Sequence, residues 1–181
     1  MIVLITGGAK NGKSSLAQEI ALALAHGGSR YYIATMIPSD GEDLERIRLH
    51  RLDRAGMGFQ TIECGRNILS CLDQADPHGS FLLDSTTALL LNELFPDPSG
   101  CHMDVDSAQR CGDDLVILAQ RVENIVIVSD GIYSDAQRYD EVTETYRRCL
   151  AQIDRKLAAV ADTVLEVSCG HILVHKGVNP L

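Results

Sequence analysis

The sequence predicts a three-layer α/β fold, a mainly parallel sheet covered by helices on both faces and closed by a C-terminal β-hairpin. Three observations predict it. Short apolar runs alternate with helical segments along the chain, and a glycine-rich loop joins the first run to an alanine- and leucine-rich stretch. The last run alternates about a Cys169-Gly170 turn. Strands separated by helices pair in parallel, whereas a turn of that kind joins antiparallel neighbours.

Met1 to Thr6 reads as a buried strand, and Ser14 to His26 as a helix that ends at Gly27-Gly28. Tyr31 to Thr35 is β-rich and short enough to be the second strand. Ser39 or Asp40 can cap the next helix, whose first turn carries Glu42 and Asp43 at the positive end of the helix dipole. Phe59 to Glu63 reads as a strand and Asn67 to Ala75 as a short helix. An apolar strand ends at Asp84, and another, from Ile125 to Ser129, ends before Asp130. Between them, Thr87 to Phe95 and Ser107 to Val122 have helical character, separated by a loop with Pro96, Pro98 and Gly100. Asp135 to Ala161 reads as one or two helices, and the hairpin follows.

With 181 residues, the chain is read as a single nucleotide-binding domain over 1–181. Net charge of −9 and a pI near 5.0 exclude a dedicated nucleic-acid binder, because such proteins present basic faces to the phosphate backbone. No apolar run approaches the roughly 20 residues of a membrane-spanning helix. The N-terminus lacks the charged and apolar regions of an export signal, so a cytoplasmic protein is expected. Six cysteines, Cys64, Cys71, Cys101, Cys111, Cys149 and Cys169, form no CxxC pair and fit a reducing compartment.

In so acidic a chain, anionic ligands must be met locally. Gly7, Gly8, Ala9, Lys10, Asn11, Gly12, Lys13 and Ser14 fit the G-x-x-x-x-G-K-[ST] pattern without mismatch. Glycines let the backbone curl so that its N–H groups point inward, and the following helix turns its positive end to the phosphates. Lys13 is placed to reach the β- and γ-phosphates and the Ser14 hydroxyl to ligate Mg²⁺. A P-loop also requires a strand-end acid for the metal. Asp84 is preferred because Ser85, Thr86 and Thr87 follow it, although Asp130 qualifies and either residue can instead cap a helix. Asp53 to Gly56 matches the D-x-x-G of switch GTPases, but no strand precedes it and no N-K-x-D sequence occurs. These features favour a small-molecule kinase or related transferase over a signalling GTPase.

Arg46, His50 and Arg54 recur every four residues and share one stripe of a helix, with Arg48 and Arg51 nearby. The bland alternative is a solvated face paired with Glu42, Asp43, Glu45 and Asp53. The sharper one is nucleophilic. An imidazole there can attack a bound triphosphate and form a phosphoramidate, with Asp53 orienting the ring.

At this point the sequence resembles a known family. The segments from Met1 to Gln18, Tyr31 to Thr35, Arg46 to His50 with Arg54, Phe59 to Glu63 and Phe81 to Phe95 look like the bifunctional adenosylcobinamide kinase/adenosylcobinamide-phosphate guanylyltransferases of cobalamin biosynthesis. The resemblance implies a RecA-like P-loop NTPase fold, use of GTP, ATP and Mg²⁺, and a trimeric homo-oligomer. It implies phosphorylation of the aminopropanol hydroxyl of the corrinoid adenosylcobinamide, followed by GMP transfer through a guanylyl-histidine. By position His50 carries GMP, while Ala34, Thr35, Met36, Arg51, Leu52, Asp53, Arg54, Glu63 and Asp84 fall where the family contacts nucleotide. The second half departs from the family pattern at Asp130 to Tyr133, at Glu144, at Tyr146 to Arg148 and at Asp154. The residues themselves leave open a plain P-loop metabolite kinase and a non-catalytic nucleotide-binding module.

Overall fold

Residues 1–97, 102–133 and 136–181 are described by the computed structural model. Seven strands form one sheet in the order β3-β2-β4-β5-β1-β6-β7. They are β1 (Ile2–Gly7), β2 (Arg30–Ala34), β3 (Gln60–Glu63), β4 (Ser80–Asp84), β5 (Asn124–Val128), β6 (Thr163–Ser168) and β7 (His171–Lys176). All neighbours pair in parallel except β6 and β7, whose antiparallel hairpin turns at Cys169-Gly170. The expected architecture is therefore present. The helices are α1 (Lys13–Leu24), α2 (Gly41–Asp53), α3 (Thr86–Leu94), α4 (Val105–Arg121) and α5 (Glu141–Val160).

Alternation along the strands builds two cores. Val3, Ile5, Tyr32, Leu82, Val126 and Val128 face α1, where they meet Leu16, Ala17 and Ile20. Leu4, Tyr31, Ile33, Phe81, Leu83 and Ile127 face the opposite layer, built from α3, α4 and α5. Central strands buried on both sides explain why β1, β4 and β5 read as unbroken apolar runs rather than alternating ones. Among the described residues no helix is long and apolar enough to cross a membrane.

Several expectations shift in detail. The short helix expected at Asn67 to Ala75 is a 3₁₀ segment, Ile68–Gln74. The stretch expected as one or two helices from Asp135 is a single helix capped by Asp140, which accepts from the Thr143 amide. Pro98, Gly100, Cys101 and Asp135 lie outside the described residues. Asp40, not Ser39, caps α2 by accepting from the Asp43 amide, while the Ser39 hydroxyl donates back to Asp43 at 2.7 Å. This reciprocal pairing secures the helix start locally. That local anchor matters because no residue of α2 itself is buried.

Candidate functional site

Every predicted site segment lies at the carboxyl ends of the parallel strands, where open α/β sheets bind ligands. Gly7 ends β1 with φ 143°, and a Cβ there would collide with the Val167 carbonyl oxygen on β6. The residue must therefore be glycine for the loop to leave the sheet. Gly12, at φ 88°, precedes α1 without a side-chain cap, and no acidic residue occupies the first turn of that helix. Its leading amides stay open to an anion.

Lys13 is only 5% exposed. Its ammonium donates to the Gly8 carbonyl at 2.6 Å and pairs with Asp130 at 2.8 Å. Asp84, by contrast, makes no ion pair among the described residues. It accepts a hydrogen bond from the Tyr32 hydroxyl at 3.1 Å. Burial and then the charge of Asp84 push the Tyr32 phenol far above its ordinary value, so this hydroxyl remains a donor. Neither aspartate caps a helix: Ser85 caps α3, accepting from the Ala88 amide at 3.4 Å.

Two adjoining cavities open here. The larger, a cleft of about 680 Å³, is lined by loop residues Ala9 to Ser14 together with Met36, Arg46, His50, Asp53, Asp84 and Asp130. The smaller, about 80 Å³, lies between β2 and α2 and is lined by Ala34, Met36, His50, Arg51, Arg54, Glu63 and Asp84. The cleft has the size for a triphosphate, and the side pocket for part of a flat group. Among the described residues, only His50, Met36, Asp84 and Ser85 border both cavities.

The arginine stripe is resolved into separate tasks. Arg54 is buried, its guanidinium 3.4 Å above the Tyr32 ring, and one of its terminal nitrogens has no partner among the described residues. An unpartnered buried donor on a pocket wall favours an acceptor-bearing ligand. Arg51 bonds Glu63 at 2.8 Å across the pocket mouth, and Arg48 pairs with Glu45 on the exposed side of α2. Of the solvated-face alternative, the Glu45 pairing is present, Asp43 is engaged by Ser39, and among the described residues Glu42 and Asp53 form no ion pair with these arginines. Asp53 lines the cleft but makes no hydrogen bond to the His50 ring, so the expected orienting contact is absent from this structure.

Two expected nucleotide contacts sit elsewhere. Thr35 is fully buried, and its hydroxyl donates to the Ser85 carbonyl and accepts from the Ser85 amide, both at 2.8 Å. It braces the β4–α3 turn from below rather than facing the cleft. Leu52 is 55% exposed and lines neither cavity.

Sequence reasoning missed Tyr32 and the Lys13–Asp130 pair. Period-two alternation in β2 signals the first, since it puts Tyr32 and Ala34 on the face opposite Tyr31 and Ile33. The second involves residues distant in the chain and leaves no local signal.

The family model described as cobinamide kinase / cobinamide phosphate guanyltransferase matches residues 3–174, a span that includes the second half. The bifunctional adenosylcobalamin biosynthesis protein CobU of Salmonella typhimurium (strain LT2) is 30% identical over 182 residues, covering 94% of this chain and 97% of that protein. Its namesake from Escherichia coli (strain K12) is 27% identical over 180 residues, with the same coverage. Among solved structures, the flagellar accessory protein FlaH of Methanocaldococcus jannaschii superposes with a TM-score of 0.52 at 15% identity, over 99% of this chain and 79% of that one. A protein of Pyrococcus horikoshii OT3 does so with 0.51 at 12%, over 98% and 86%. These likenesses support the α/β fold of a mainly parallel sheet flanked by helices.

Proposed function

The chain belongs to the cobinamide kinase / cobinamide phosphate guanyltransferase family, and from that membership we propose that it is bifunctional, phosphorylating adenosylcobinamide and then transferring GMP to the product. The single observation that carries this reading is that His50 borders both the P-loop cleft and the side pocket. A histidine there can meet the α-phosphate of a nucleotide whose triphosphate lies on the loop.

In the first reaction the aminopropanol hydroxyl attacks the γ-phosphorus of ATP or GTP. A new P–O bond forms as the bond to the β-phosphate oxygen breaks, the hydroxyl gives up its proton to solvent, and the nucleoside diphosphate leaves. The loop amides and Lys13 meet the charge that develops on the transferred group. The Ser14 hydroxyl and the Asp84 carboxylate line the same cleft and are hard oxygen donors of the kind Mg²⁺ selects. Bound there, the metal would supply neutralisation of phosphate charge.

In the second reaction the His50 ring nitrogen attacks the α-phosphorus of GTP. A P–N bond forms, the α–β bond breaks, pyrophosphate leaves and the ring gives up its proton. The phosphate oxygen of adenosylcobinamide phosphate then displaces histidine, giving adenosylcobinamide-GDP and restoring the imidazole. Arg54 and Arg51 with Glu63 hold the nucleotide from the side pocket. Exposed Ile172, Leu173 and Val174 on edge strand β7 support a homo-oligomer, a trimer by resemblance.

The test uses α-labelled GTP with Mg²⁺, followed by denaturation. Acid-labile, base-stable label that disappears in His50→Ala supports the reading, and wild-type protein without label sinks the guanylyl-transfer step. A second reading, a plain kinase with α2 as a basic lid, draws on the absence of any buried residue in that helix. It is the one left standing if ATP turnover occurs without label.

A further inference from the structure

The loop after β5 carries the counter-ion of the P-loop lysine, and α5 grips it from the far side. Asp130 holds the Lys13 ammonium at 2.8 Å. The residue before it, Ser129, is fully buried and donates its hydroxyl to Asp154 Oδ2 at 2.9 Å. Three residues after Asp130, the Tyr133 hydroxyl donates to the same oxygen, also at 2.9 Å. One carboxylate oxygen on α5 thus binds the chain on both sides of Asp130.

Other bonds complete the frame. The Gly131 amide donates to the Gly7 carbonyl at 3.0 Å, tying this loop to the start of the phosphate loop. The Asp130 amide donates to the Thr87 hydroxyl at 3.2 Å, and Arg147 donates to the Ile132 carbonyl at 3.2 Å.

Asp154 is 5% exposed, and its second oxygen, Oδ1, is buried without a partner among the described residues. An orphaned buried acceptor costs stability, and stability alone would be served as well by an apolar side chain of similar size. Such local conflicts concentrate where position matters more than stability. Here the position at stake is that of Asp130, and through it that of Lys13.

We propose that Asp154 is a positioning residue for the phosphate site, fixing through Ser129 and Tyr133 the loop whose Asp130 orients the Lys13 ammonium. The proposal rests on the phosphate-binding role of Lys13 given above, but its action on Lys13 is readable without nucleotide. The route is side chain to loop to side chain, so it predicts dependence: Asp154 acts on Lys13 only while Asp130 is present.

The chain has four lysines, Lys10, Lys13, Lys156 and Lys176, which keeps side-chain lysine NMR simple. The Lys13 signal is assigned by Lys13→Arg in nucleotide-free protein. Asp154→Ala is expected to displace that signal by at least half of the displacement caused by Asp130→Ala, and to add nothing in the Asp130→Ala background. Asp154→Asn, which keeps an oxygen for both hydroxyls, is expected to restore the wild-type signal. If Asp154→Ala does not fold, Ser129→Ala combined with Tyr133→Phe removes both bonds and should move the signal equally. A folded variant of either kind with Lys13 at its wild-type position overturns the proposal, as does a further shift in the Asp130→Ala background. Labelling by α-labelled GTP, measured separately, decides the fate of the enzymatic reading and leaves this test unaffected.

Discussion

The hydroxyl of Tyr32 on β2 donates to the carboxylate of Asp84 at the end of β4, 3.1 Å away, while Arg54 covers the Tyr32 ring at 3.4 Å. One aromatic side chain thereby joins the acid proposed for the metal to the basic end of α2. Removing the hydroxyl alone separates these roles. Tyr32→Phe keeps the ring under Arg54, so the fold should survive with a loss of about 1 kcal/mol, as for one hydrogen bond. Asp84 is then free to turn, and Mg²⁺-dependent GTP affinity should fall by roughly three- to tenfold. Fluorescent-nucleotide titration with and without Mg²⁺ reads this, and an unchanged Mg²⁺ dependence would remove Tyr32 from the site.

The two glycines of the P-loop motif should fail differently when substituted. Gly7 lies at φ 143° with the Val167 carbonyl against it, whereas Gly12, at φ 88°, has nothing within 4 Å of where a Cβ would sit. Gly12→Ala meets only the left-handed backbone penalty, about 1–2 kcal/mol. Gly7→Ala adds a collision with backbone that belongs to the β1–β6 pairing and should cost at least about 3 kcal/mol. Urea unfolding of the two variants distinguishes the cases, and equal losses would show that the Gly7 contact relaxes freely.

What the chain made legible divides by distance in sequence. The P-loop was readable because its glycines, lysine and serine are contiguous and sit between an apolar run and a helix. The Arg46, His50, Arg54 stripe was readable because helical spacing alone puts the three on one side, and the structure sets them around two joined cavities. Strand order was not readable in this way. That β1 lies between β5 and β6 is fixed by pairing across most of the chain. Tyr32 escaped notice because its partner, Asp84, is 52 positions away. By sequence Asp130 qualifies as a metal residue, and only the folded chain shows it holding Lys13. Tyr133 and Asp154 stood out separately as departures from the family pattern, and the structure joins them through a bond across 21 positions.

Asp154 also gives the stability of the fold a pH dependence of definite sign. Burial pushes its carboxyl up to about 6, although donations from Ser129 and Tyr133 oppose the rise, and the charge of Asp130 adds to it. Thr6 on β1, Tyr133 and Arg155 line the same cavity, and Glu166 on β6 acts on Tyr133. In the unfolded chain an aspartate titrates near 4. Between about pH 4 and pH 6 the folded state therefore binds more protons than the unfolded one, and stability falls as pH rises. The contribution is fully present below about pH 4 and lost once pH passes about 6. Asp154→Asn removes the titration but keeps the shape. Relative to that variant, wild type should lose on the order of 3 kcal/mol between pH 4 and pH 7, an upper bound set by the size of the shift. Urea unfolding of both proteins at pH 4, 5, 6 and 7 measures the difference. A gap that stays flat across that window would mean the Asp154 carboxyl titrates alike in the folded and unfolded chains.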